Sequence, residues 1–132
     1  MANMAKKGFT LVEIMIVVAI IALLAAIAIP NLLRAKISAN DASAVSTLRT
    51  LSTGAETFSI SNRNNYPGDE TSLTGAFPPY VNKSYCGQSS SGFTYACTFS
   101  LGSYSFTAAP VTVGSSGTTT YTITTGGVLT PS

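Results

Sequence analysis

From Ile14 to Ile29 no polar side chain interrupts the chain, and this run constrains the fold more than any other feature of the sequence. Extended back to Phe9, the segment as a helix rising about 1.5 Å per residue reaches about 31 Å, close to the roughly 30 Å hydrocarbon thickness of a bilayer. One membrane span fits it. Near its start sits a single acid, Glu13. A carboxylate deep in hydrocarbon costs several kcal/mol, so either a partner or an escape to interfacial water has to account for it.

Composition sharpens this division. Hydrophobic residues make up 45% of the 132-residue chain and charged residues 9%, against about 25% charged in an ordinary soluble domain. The apolar residues concentrate between Phe9 and Leu33, whereas the stretch after Glu70 is rich in Ser, Thr, Gly, Tyr and Phe and carries one charge, Lys83. A membrane-competent N-terminal segment followed by a small, β-rich polar domain is the arrangement this implies. The net charge of +2 includes Lys6 and Lys7; from Phe9 onward the five remaining basic side chains equal the five acidic ones. That balance leaves no electrostatic footprint for nucleic acid. Lys6 and Lys7 belong on the cytoplasmic side, which puts the C-terminal domain outside.

Residues 1–8 read as a short, basic leader peptide and not as structure. After Pro30 a helical pattern resumes: Ile37, Ala44, Leu48, Leu51, Ala55 and Phe58 form one apolar stripe, with Arg34, Lys36, Asp41, Arg49 and Glu56 on the other face. The pattern predicts one long helix from about Thr10 to about Asn62, kinked or locally loosened near Pro30, with Gly54 as a second weak point. It should end at SNRNNYPG, whose Asn and Pro-Gly are turn formers. Residues 63–92 follow as a loop. Strands are predicted at 93–99, 104–113 and 119–125, with a short fourth at 128–130. Three or four antiparallel strands need a cover for their apolar face, and the stripe from Ile37 to Phe58 is available. The expected fold is therefore α+β, a long N-terminal helix packed on a small antiparallel sheet. Its parts are a transmembrane segment 9–33 and a globular domain 34–132, comprising helix 34–62, loop 63–92 and sheet 93–132.

Cys86 and Cys97 are the two cysteines, and there is no histidine. In an exported domain the pair reads as a disulfide pinning the loop to the first strand, with two reduced, buried thiols as the alternative. Catalysis finds no footing: without His, and with Asp69-Glu70 as the only adjacent carboxylates, no general-base constellation assembles. Asp69-Glu70 reads as a solvated turn. No phosphate-binding glycine loop has the required spacing. Asn82-Lys83-Ser84 is a sequon at chance level, and the many Ser and Thr offer acceptors for O-linked sugars. No enzymatic activity and no cofactor are expected.

The stretch GFTLVEIMIVVAIIALLAAIAIPNLLRAK, preceded by a basic leader, resembles the N-terminus of the type IV pilins, which include the pseudopilins of type II secretion. The match covers about residues 1 to 36 and requires a glycine, an aromatic residue, an acid and a proline at set offsets: Gly8, Phe9, Glu13 and Pro30. The resemblance implies cleavage between Gly8 and Phe9 by a prepilin peptidase, N-methylation of Phe9, and extraction from the bacterial inner membrane into a helical homopolymer at the cell surface. An inner-membrane assembly platform and a cytoplasmic ATPase are further implied partners. It also sets Glu13 against the terminal amine of a neighbouring subunit, where it would neutralise a buried charge and fix register. Ala19, Ala22, Ala25, Ala26 and Ala28 permit the close helix approach such a core needs.

Three other readings remain open at this point. Glu13 could belong to a signal anchor, with its carboxyl snorkelling to water. Ala26-Ile27-Ala28 is a secretory A-x-A site that would release a domain beginning at Ile29, although the apolar run is longer than the usual 7 to 15 residues of such signals. The chain could also be a single-span anchor for a small binding domain that never assembles. Within the family, the major pseudopilins hold calcium near the end of the sheet with acidic side chains. From Thr71 to Ser132 this chain has neither Asp nor Glu, and carbonyls alone serve a hard cation poorly. No calcium is expected, which favours a major pilus subunit, serving adhesion, motility or DNA uptake, over a pseudopilin.

Overall fold

The structure, a computed structural model, describes residue 2 and residues 4–132; residues 1 and 3 of the expected leader lie outside the described residues. Helix α1 runs from Leu11–Ser61 and α2 from Thr71–Thr74. Five strands follow: β1 Ser89–Ser90, β2 Phe93–Ser100, β3 Ser103–Pro110, β4 Tyr121–Thr124 and β5 Val128–Pro131. They form one antiparallel sheet in the order β1-β2-β3-β4-β5. Two compact units divide the chain, Met1–Arg34 and Ala35–Ser132.

The second unit has a core that the two side-chain periodicities dictate. On the helix, Ala44, Leu48, Leu51 and Ala55 are fully buried, at the three- and four-residue spacing that puts side chains on one face. Ile37 and Phe58, at the ends of the same stripe, are half-buried. On the sheet, alternate residues point inward: Phe93 and Tyr95 from β2, Tyr104, Phe106 and Ala108 from β3, and Ile123 from β4 are all buried. The register brings these positions side by side, with Tyr95 opposite Ala108, Cys97 opposite Phe106, and Phe106 opposite Ile123. Tyr104 and Phe106 stack at 4.9 Å between centroids, and Phe99 meets Phe106 edge-on at 5.4 Å. The helix ends where Arg63 and Asn64 turn left-handed, and the Asn64 N–H closes the last turn on the Ser59 carbonyl at 2.9 Å.

Four expectations are corrected. The sheet has five strands, not three or four, because Ser89–Ser90 pairs with Thr94 and Phe93 inside the stretch read as loop. Ser91 and Gly92 both have positive φ, 51° and 77°, which makes a two-residue hairpin turn. A two-residue strand and a Ser-Gly turn carry too little sequence pattern to stand out. The strand read to residue 113 ends at Pro110 and the one read over 119–125 spans only Tyr121–Thr124, since proline withholds a ladder N–H and Thr112 to Gly117 close a turn of their own. Gly54 is not a weak point but a packing site. A Cβ placed there would come within 2.6 Å of Val81 Cγ2, so only glycine lets residues 80 and 81 cross the helix so closely. Gly54→Ala, which would add about 1 kcal/mol in an exposed helix, is expected instead to destabilise the full chain by about 1 to 3 kcal/mol, read from denaturant unfolding in detergent.

The fourth correction concerns two acids expected to face solvent. Glu56 is half-buried and turned toward the sheet. Its Oε1 accepts hydrogen bonds from the Tyr104 hydroxyl at 2.8 Å and the Gly126 N–H at 2.7 Å, and its Oε2 accepts one from the Tyr66 hydroxyl at 3.0 Å. Burial pushes the Glu56 carboxyl up, but the three donors, Tyr104 first, together hold it below the usual carboxylate value. Burial, aided by the neighbouring Glu56 charge, pushes Tyr104 up to about 12. The signs differ. The Glu56 contribution is present above the ordinary glutamate pKa of about 4.3 and is lost as pH falls through its lower folded value. That of Tyr104 is present below about pH 10 and is lost as pH rises toward its folded value. Glu56→Ala is expected to cost about 1 to 3 kcal/mol at pH 7 and to flatten the acid limb of the stability curve, measured by unfolding at a series of pH values.

Glu70 is the other corrected acid. It accepts the backbone N–H groups of Tyr85 and Cys86 and the Ser84 hydroxyl. Asp69 accepts the Ser72 N–H at 2.8 Å and so starts α2. Glu70 is thus a loop anchor, whereas Asp69 stays exposed in a local turn, as expected.

Candidate processing and assembly site

The described residues before Leu11 have no regular secondary structure, so Gly8, Phe9 and Thr10 lie outside the helix. A Cβ placed on Gly8 meets nothing within 4 Å. The fold does not require a glycine there. Phe9 is 88% exposed. The helix starts where it does because Thr10 and Glu13 close its end reciprocally. The Thr10 N–H donates to Glu13 Oε2 at 2.7 Å, the Thr10 hydroxyl donates to the same oxygen at 3.0 Å, and the Glu13 N–H donates to Thr10 Oγ1 at 3.2 Å. This is a capping box, in which the side chains of the N-cap and of the residue three further on satisfy each other's backbone donors. The acid also sits in the first turn, where the helix dipole favours negative charge. Thr-x-x-Glu before an apolar run is itself a sequence signal for this box, and reading Glu13 only as an isolated charge passed over it.

Beyond the cap, every residue from 11 to 33 except the half-exposed Ala25 is exposed. Among the described residues α1 is the one helix long and apolar enough to cross a membrane. A helix apolar on all sides is stable only in lipid or among other helices. Pro30 lies inside α1 and does not end it. A cleft of about 370 Å³ beside the cap is lined by Phe9, Glu13, Ile14, Ile16 and Val17. Glu13 is its one charged side chain.

The structure thus gathers Gly8, Phe9 and Glu13 within one short segment and places Pro30 further along the same helix. Cys86 and Cys97 belong to the other unit, where they are joined with a Cα–Cα distance of 5.5 Å. The bond ties the residues held by Glu70 to β2. Among the described residues no three His, Cys, Asp or Glu side chains gather to hold a metal.

A small α+β unit carried on a long, exposed apolar helix is what these features define, and comparison with known proteins places that architecture. The prokaryotic N-terminal methylation motif matches residues 3–29. The type IV wide pilus major component PilA4 of Thermus thermophilus is 37% identical over 108 residues, 79% of this chain and 82% of that protein. The type IV major pilin protein PilA of Myxococcus xanthus is 46% identical over 56 residues, 42% of this chain and 26% of that protein. The type II secretion system core protein G of Pectobacterium carotovorum is 38% identical over 68 residues, 52% of this chain and 43% of that protein. No solved structure matches. The chain belongs to the family of type IV pilins and type II secretion pseudopilins.

Proposed function

We propose that the chain is the precursor of a type IV pilus subunit, a structural protein that is cut between Gly8 and Phe9, methylated on the new Phe9 amine and polymerised into a surface fibre. The observation that carries the pilus reading is the extent of similarity to the wide pilus component, 82% of that protein, against 43% for the secretion core protein. A likeness confined to the N-terminal helix would fit any member; one that spans 79% of this chain extends beyond that helix and favours the pilus branch. The lack of any acid from Thr71 to Ser132 points the same way.

In this reading α1 holds the precursor in the inner membrane with residues 1–8 cytoplasmic, where the peptidase acts. Cutting creates a cation at Phe9. Glu13, four residues on, is the only carboxylate near it in sequence, and in the fibre it pairs with the amine of a neighbouring subunit. The platform and ATPase that extract the subunit act on this processed form.

Labelling the cell surface with an antibody to the globular unit and imaging it tests the reading. Long fibres carrying the label are expected. A secretion defect on deletion, with no long labelled fibre, would instead favour the pseudopilin alternative.

A further inference from the structure

Both hydrogen bonds that Thr10 gives Glu13 go to one oxygen, Oε2. Among the described residues nothing donates to Oε1. A carboxylate accepts on both oxygens and binds cationic donors strongly, so one half of this acid is engaged by its own chain and the other half is available. The return bond from the Glu13 N–H to Thr10 Oγ1 fixes the threonine hydroxyl between them. Without it the glutamate would be a flexible side chain at the end of an exposed helix, free to sample many rotamers.

We propose that Thr10 is a positioning residue for assembly: it holds Glu13 by Oε2 and leaves Oε1 to receive the cationic amine of an adjacent subunit. The inference rests on the pilus-subunit reading and deepens it. Glu13 then keeps its cap while it binds the neighbour, and assembly does not have to break the helix end to form the charge pair. The register of each added subunit is set by a carboxylate held in one rotamer. The cap also keeps Phe9 outside the helix, so its amine is not drawn into the backbone ladder.

The test compares Thr10→Val, which keeps shape but removes the hydroxyl, with Thr10→Ser, which restores it. Two quantities are read on the full chain: hydrogen exchange at the amides of residues 10 to 13 in unassembled protein in detergent, and surface fibre per leader-cleaved subunit in cells. Thr10→Val is expected to speed exchange about fivefold, the scale of a lost N-cap, and to lower fibre yield by a similar factor. Thr10→Ser should return both to the original values. Unchanged exchange in Thr10→Val would overturn the proposal, as would faster exchange with undiminished fibre. Normalising to cleaved subunit separates any effect on the peptidase. If the unsubstituted chain makes no fibre, the pilus reading fails and takes the proposal with it, a result recognisable because the exchange data do not depend on fibres.

Discussion

Replacing Glu13 with alanine is expected to remove surface fibres while the leader is still cut. An ammonium left buried without its partner costs about 3 to 5 kcal/mol, and each 1.4 kcal/mol is about tenfold in an equilibrium. Addition of a subunit lacking the acid should therefore be disfavoured more than about a hundredfold, which leaves no visible polymer. The globular unit does not contain Glu13, so its folding should be unaffected. The check is surface imaging beside an immunoblot that distinguishes precursor from processed chain. Normal fibres from Glu13→Ala would show that assembly does not depend on this acid.

The second large effect lies on the other side of the proposed cut. Gly8→Val is expected to leave the structure intact, because a Cβ at Gly8 meets nothing within 4 Å. In the proposed reading the glycine serves the peptidase and not the fold. The added branch should misplace the scissile bond, and a displacement near 1 Å costs on the order of a hundredfold in rate. Full-length precursor should accumulate in the membrane, with no fibre. The two substitutions separate the two steps: Gly8→Val stops processing, whereas Glu13→Ala lets processing pass and stops polymerisation.

The long helix and the helix-on-sheet arrangement were legible in the sequence because both rest on repeated periodicity. Six positions from Ile37 to Phe58 share one face, and the alternation through β2 and β3 is sustained over eight residues in each strand. What was not legible depends on single contacts. The apparent polar face of α1 hid Glu56, since a helical wheel does not reveal that Tyr66, Tyr104 and Gly126 converge on that side. Glu70 looked like a turn acid because its three donors lie fourteen to sixteen residues away. Gly54 looked like a flaw in a helix, and only the approach of Val81 explains it.

At the candidate site the balance was similar. Gly8, Phe9 and Glu13 stood out because a glycine, an aromatic residue and an acid flank an otherwise apolar run. The role of Thr10 was missed although its spacing to Glu13 was in plain view. A lone charge in an apolar run implies a distant partner, whereas this one first closes its own helix end.

The central claim is that this chain is cut at Gly8 and enters a fibre through its apolar helix. Intact-mass measurement of the subunit purified from shed surface fibres tests it most directly. A chain that begins at Phe9, carries a methylated amine and retains the Cys86–Cys97 bond is the expected result. A chain that begins at Ile29, released by an ordinary signal peptidase without its apolar helix, would contradict it.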